Sequence, residues 1–219
     1  MSKIPVYFMP GLAASTSIFE RIHLPEDQFE MYLLEWILPE PKETLKSYVS
    51  RLSKKIKHPN PVLVGVSFGG IIVQEMATLI PVQKTIIISS VKTRNEFPRR
   101  LKLAKTTKAY KLVPTGMIQN LEDFGKFAFN QTLTQRAKLY EKYLSVRDKN
   151  YLDWAIESVV LWDRIEADPL VVHIHGDKDE VFPIKYIQNC VVLKGGTHIM
   201  ILNKHKWISE NLPKLILND

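Results

Sequence analysis

The chain has one cysteine, Cys190, so no disulfide can form within it, and a lone thiol in the apolar run Cys190 to Leu193 fits a reducing compartment. Repeats and low-complexity runs are absent. The N-terminal stretch Ile4 to Ala14 follows Lys3 and ends in small residues, as a secretion signal does. It is too short to span a membrane, and Pro5, Pro10 and Gly11 break the helix that a signal forms. It reads instead as the first strand of a fold, with no membrane span and a cytoplasmic location expected. Acidic residues are scarce in one place. From Lys92 to Lys111, Lys92, Arg94, Arg99, Arg100, Lys102, Lys105, Lys108 and Lys111 stand against Glu96 alone, which is the whole net charge of +7. This run holds only two aromatics, Phe97 and Tyr110, and no recognition motif, so nucleic acid is not an expected partner. Its two readings are a solvated helix face and a surface for an acidic partner: an acyl carrier, an acidic acyl group or an anionic membrane surface.

What the chain does have is enough apolar residue for a sizeable core: 45% of 219 residues, with 24% charged, as in one globular domain. Ile4 to Met9, Phe29 to Trp36, Pro61 to Val66, Lys84 to Ser89, Leu170 to His175 and Cys190 to Leu193 read as strands. Helical runs separate most of them. A short helix is expected near Thr16 to Ile22. Thr44 is placed to cap a helix with apolar positions Leu45, Tyr48, Val49, Leu52 and Ile56, and a further helix runs to Ile80 before Pro81. The last helix, around Lys204 to Asn211, is expected to be interrupted by Pro213. Strands joined through helices imply crossovers, and therefore an α/β fold with a mostly parallel sheet of about six strands and helices on both faces.

Residues 92–166 break the alternation and read as successive helices, a cap or lid insertion in a single domain. Their apolar stripes are Leu121, Phe124, Phe127 and Ala128; Leu133, Ala137, Tyr140 and Leu144; and Leu152, Ala155, Ile156 and Val159. Packing explains such stripes, and so does an apolar pocket under the lid.

The chemistry centres on Gly65-Val66-Ser67-Phe68-Gly69, between a strand and a helix. A serine on so sharp a turn stands clear of the sheet, small residues two places to either side let the backbone fold back, and the helix aims its free N–H groups at the serine. A serine nucleophile needs a base within hydrogen-bond reach, and the base needs an acid to hold its tautomer. Among six histidines, His198 alone follows a strand within a glycine-rich loop; His23, His58 and His205 read as surface residues. Asp177 and Asp179 both compete for the acid. After the strand that follows the elbow, only Glu96 is on offer.

Four motifs in order make the chain resemble an α/β-hydrolase over essentially its whole length. Met9-Pro10-Gly11-Leu12 resembles the family's oxyanion turn, with Met-Pro in place of the more usual residues. Gly65 to Gly69 matches the nucleophile elbow, His175 to Pro183 resembles the acid turn, and Gly195-Gly196-Thr197-His198 resembles the histidine loop. The resemblance implies a triad of Ser67, Asp179 and His198, the acid lying four residues before Pro183 while Asp177 stiffens its own turn. It implies oxyanion donors at the backbone N–H groups of Leu12 and Phe68, no cofactor, and an ester or thioester hydrolase acting on a small acyl substrate. The interval from Asp179 to His198 is shorter than the family's usual one, leaving a turn or two in place of a helix. Acyl transfer and carbon–carbon bond hydrolysis use the same triad. Two other classes compete. His173-Ile174-His175-Gly176-Asp177 is part of the ligand set of metallo-β-lactamase-like hydrolases, although Lys178 stands where they place another histidine, and a non-catalytic binder is the other.

Overall fold

The computed structural model describes residues 2–112 and 142–218. Among these, six strands form one sheet: β1 (Ile4–Met9), β2 (Phe29–Leu33), β3 (Val62–Val66), β4 (Lys84–Ile88), β5 (Val171–Gly176) and β6 (Val191–Leu193). Their order is β2-β1-β3-β4-β5-β6, and every neighbouring pair is parallel. Parallel neighbours require crossovers, which bury both faces, and the sequence of the central strand β3, Val62-Leu63-Val64-Gly65-Val66, is accordingly apolar and buried throughout. Alternate residues feed opposite layers. Tyr7, Met9, Leu63 and Ile87 join the cluster under α1 (Leu45–Ser53), α2 (Phe68–Met76) and α4 (Lys149–Leu161), whereas Val6, Phe8, Val64 and Ile86 join the cluster under α6 (His205–Leu217). The strand order reverses between β1 and β3. At such a switch point the loops at the carboxyl ends of the strands part and leave a crevice, and here those loops are 10–14 and Ser67.

The local signals act as the residues suggest. The Thr44 side chain accepts from the Ser47 N–H at 3.2 Å and caps α1. Asp148 does the same for α4 through the Tyr151 N–H at 2.9 Å. The first helical turn is a 3-10 helix over Thr16–Phe19. Strand β2 ends at Leu33 rather than Trp36, because Trp36 turns inward to donate its indole N–H to the Gly11 carbonyl at 3.0 Å. Pro213 lies inside α6 rather than interrupting it. It removes one backbone donor, while Ile208, Leu212 and Ile216, all buried, hold the helix to the sheet on both sides of it. Between β4 and β5 the described helices are α3 (Arg99–Thr107) and α4, with short 3-10 turns at Arg94–Glu96 and Ala109–Leu112. The stripe at 121–128 and positions 133, 137 and 140 of the second stripe lie outside the described residues. After β6 a short helix, α5 (Met200–Asn203), precedes α6.

Candidate active site

Ser67 sits at φ 53° and ψ −119°, a backbone conformation that L-residues rarely adopt and that costs of order 1–3 kcal/mol. Its surroundings hold it there. The Ser67 N–H donates to the Ile88 carbonyl at 2.9 Å, and the Ser67 carbonyl accepts from the Gly70 N–H at 2.9 Å and the Ser90 hydroxyl at 2.7 Å. The glycines two places away are required by contact: a Cβ on Gly65 would lie 2.3 Å from the Gly69 carbonyl oxygen, and one on Gly69 2.4 Å from those of Met9 and Pro10.

His198 stands over this turn. Its Nδ1 is 2.9 Å from Asp179 Oδ2, and a carboxylate only accepts, so the proton is on Nδ1 and the Ser67 hydroxyl, 2.9 Å from Nε2, donates to the ring. The loop reaches this position because Gly176 and Gly196 pack backbone against backbone; a Cβ on Gly176 would meet the Gly196 carbonyl oxygen at 2.2 Å. Asp179 is 4% exposed, and its Oδ1 accepts from the N–H groups of Val181 and Phe182 at 2.8 and 2.9 Å. Burial pushes its carboxyl up, the largest single influence. The charge and hydrogen bond of His198, with the Phe182 N–H, outweigh burial and leave Asp179 below the usual carboxylate range.

The structure thus puts Asp179, not Asp177, against His198. Asp177 was expected to brace its own turn; instead its Oδ1 accepts from the Gly195 N–H at 2.6 Å and ties the acid turn to the histidine loop. Glu96 is buried with its carboxylate taken by the N–H groups of Lys92 at 2.5 Å and Gln188 at 3.0 Å. The interval before His198 holds one 3-10 turn, Ile184–Tyr186. Leu12 and Phe68 both line the cavity at Ser67, and Phe68 opens α2, where backbone N–H groups have no partner within the helix. Trp36 gave no sequence signal for the site. It holds the turn after β1 through the Gly11 carbonyl and stacks on Phe68 with centroids 5.2 Å apart.

The histidines of the His-x-His-x-Asp string face one another rather than a common point. The Phe182 carbonyl only accepts, so His175 Nε2 donates to it at 2.8 Å, and His175 Nδ1 accepts from His173 Nε2 at 3.0 Å. Asp177 is occupied elsewhere, and among the described residues no three ligating side chains cluster. Burial is the main cause that lowers both histidines below their ordinary value of 6.5, His173 most strongly, so both are neutral. In the unfolded chain they take up protons as pH falls through about 6.5, which the folded chain resists, so stability declines with falling pH in that window. Between about pH 7 and pH 5 the Tm falls by about 3 °C or more, and His173→Gln, which keeps a donor but does not titrate, flattens that fall; calorimetry across the pH range measures both.

Above Ser67 lies a cavity of about 420 Å³. Leu101 and Ala104 of α3, Ile156 and Val159 of α4, and Ile201 and Leu202 after His198 form much of its wall, so the predicted stripe on α4 divides between core (Leu152, Ala155) and cavity. The hydroxyls of two lining tyrosines are engaged elsewhere, Tyr143 on Glu20 at 2.7 Å and Tyr110 on Glu157 at 3.1 Å.

Compared by sequence, the chain matches no family model and no curated protein. Compared by structure, it is similar to an esterase from Exiguobacterium antarcticum at 20% identity, with a TM-score of 0.72 over 99% of this chain and 93% of that one. A hydrolase from Pseudomonas aeruginosa aligns at 12% identity and TM-score 0.73, over 99% and 91%, and a bromoperoxidase from Bacillus anthracis at 18% and 0.69, over 99% and 93%. The chain has the α/β-hydrolase fold. In this α/β-hydrolase fold the basic run lies after β4, and part of its charge serves the chain itself. Lys92 donates to the Asn189 carbonyl at 3.0 Å, Lys102 to Asn95 at 2.8 Å and Lys105 to Leu161 at 3.3 Å, and Arg100 also ends on carbonyls. No residue of α3 is buried. Among the described residues, no helix of this α/β-hydrolase fold is long and apolar enough to cross a membrane.

Proposed function

We propose that the chain is a serine hydrolase that cleaves carboxylic esters or thioesters through an acyl-enzyme on Ser67. The observation that carries this is the continuous chain Ser67 Oγ, His198, Asp179, both links 2.9 Å long, on the floor of an apolar cavity. Ser67 Oγ attacks the acyl carbon as its proton passes to His198 Nε2, and Asp179 stabilises the resulting imidazolium. The negative charge that develops on the acyl oxygen is met by the N–H groups of Leu12 and Phe68, fixed before the reaction and so at no cost in reorganisation. The leaving alcohol or thiol takes the proton back from His198. A water activated by the same ring then releases the acid. Residues 92–166 serve as the cap, and its apolar wall favours an uncharged acyl group. The names of the solved neighbours, an esterase and a hydrolase among them, agree with ester cleavage. Acyl transfer on the same triad differs only in the acceptor of the second step.

The test is turnover of a panel of p-nitrophenyl esters and the matching thioesters, with a fluorophosphonate as inhibitor. Hydrolysis of at least one series, abolished by the inhibitor, is expected. Folded protein that turns over none and is not labelled contradicts the proposal.

A further inference from the structure

The turn that carries Asp179 is held from two sides, by a nearby side chain of β5 and by one remote in sequence. Asp179 Oδ1 takes the N–H groups of Val181 and Phe182, which leaves the carbonyls of Glu180, Val181 and Phe182 directed elsewhere. From the sheet side, His175 Nε2 donates to the Phe182 carbonyl at 2.8 Å. From the cap side, Arg100 Nη2 donates to the Glu180 carbonyl at 2.9 Å and the Val181 carbonyl at 3.0 Å. Arg100 is the second residue of α3 and borders the cavity. The carbonyls it holds belong to the peptide units on either side of Val181, whose N–H is one of the two donors that orient Asp179.

We infer that Arg100 is a positioning residue of the site: it clamps the acid turn to the cap, so that Asp179 stays aimed at His198 Nδ1. The inference rests on the hydrolase reading for its catalytic consequence. Arginine suits the task because its guanidinium is planar, permanently charged and weakly hydrated, so one nitrogen spans two carbonyls with little rotamer entropy lost per bond. Arg100 is exposed, so the clamp adds little to global stability and acts on the geometry of one turn. That separates it from Lys92, Lys102 and Lys105, whose carbonyl contacts do not involve the acid turn. A competing role exists on the same geometry: Arg100 is the one permanently charged side chain among the described cavity-lining residues, and an anion ligand for an acidic acyl group would stand there too.

Arg100→Met and Arg100→Lys separate the two roles. The readouts are kcat and KM on a neutral p-nitrophenyl ester and on the p-nitrophenyl monoester of a dicarboxylic acid, together with the downfield proton resonance of the His198 Nδ1–H, assigned by its loss in His198→Ala. The clamp predicts that Arg100→Met keeps its Tm within about 4 °C, lowers kcat roughly ten- to a hundredfold on both substrates with KM within about twofold, and shifts or broadens the downfield resonance. Arg100→Lys regains part of the kcat, since an ammonium reaches one carbonyl. An unchanged kcat with an unchanged resonance overturns the inference. So does a KM raised for the dicarboxylic monoester alone, which makes Arg100 an anion ligand. If wild-type protein turns over no ester, the hydrolase reading fails, while the resonance still reports whether Arg100 holds the turn; an unshifted resonance in Arg100→Met then overturns the clamp by itself. Should Arg100→Met fold poorly, the resonance and kcat of Arg100→Lys decide on the same criteria.

Discussion

Ser67→Ala lowers kcat/KM on any ester the wild type hydrolyses by about 10⁴-fold or more, and it does so without loss of fold. The size follows from the role proposed for the hydroxyl: it would form the covalent bond, so its removal would close the acyl-enzyme route. On the proposed mechanism, what survives is water attack assisted by the N–H groups of Leu12 and Phe68 and by substrate binding. The stability side is equally specific. Alanine at position 67 keeps the backbone hydrogen bonds to Ile88, Gly70 and Ser90, none of which uses the hydroxyl. The strain at φ 53° is unchanged, so Tm stays near the wild-type value or rises slightly. A variant that is inactive and also unfolded would not match this expectation; calorimetry and steady-state rates on one preparation measure both parts.

Asp179→Asn has the second largest effect, a fall in kcat of about 10⁴-fold, as the corresponding change produces in serine proteases. The carboxamide fits the same space, and its oxygen still accepts from the Val181 and Phe182 N–H groups. That leaves the NH₂ group facing His198 Nδ1. A donor against Nδ1 drives the ring to carry its proton on Nε2, where it can no longer accept the proton of Ser67. The variant is expected to keep its shape and lose the base that the proposed mechanism needs. Asp177→Asn is the matched control. Its carbonyl oxygen preserves the bond to the Gly195 N–H, so its kcat remains within about tenfold of wild type, and similar losses for both variants would mean that the acid is misassigned.

The sheet was legible because buried parallel strands are short β-rich apolar runs and their punctuation by glycine, proline and capping residues is local. The elbow was legible for the same reason, since Gly65, Ser67 and Gly69 lie within five residues and their constraint is steric. The acid was only partly legible: spacing left Asp177 and Asp179 competing, and the choice came from resemblance, because what separates them is which carboxylate the Gly176 to Gly196 contact brings under His198. Trp36 and Arg100 had no local signature. Each acts through a backbone carbonyl of another segment, and a carbonyl is invisible in sequence. Pro213 misled for a related reason, as the tertiary packing of Ile208, Leu212 and Ile216 outweighs the donor it lacks. In the basic run, Lys92, Arg100, Lys102 and Lys105 all donate to carbonyls of the chain itself, a use of charge that no local pattern signals.

The measurement that tests the central claim most directly is the site of covalent modification by a fluorophosphonate, read by mass spectrometry of intact protein and then of its peptides. The account predicts a single adduct, on the peptide containing Ser67 and on Ser67 itself, and much slower labelling in His198→Ala. An adduct on another residue, or none at all on protein that is turning over an ester, would contradict it.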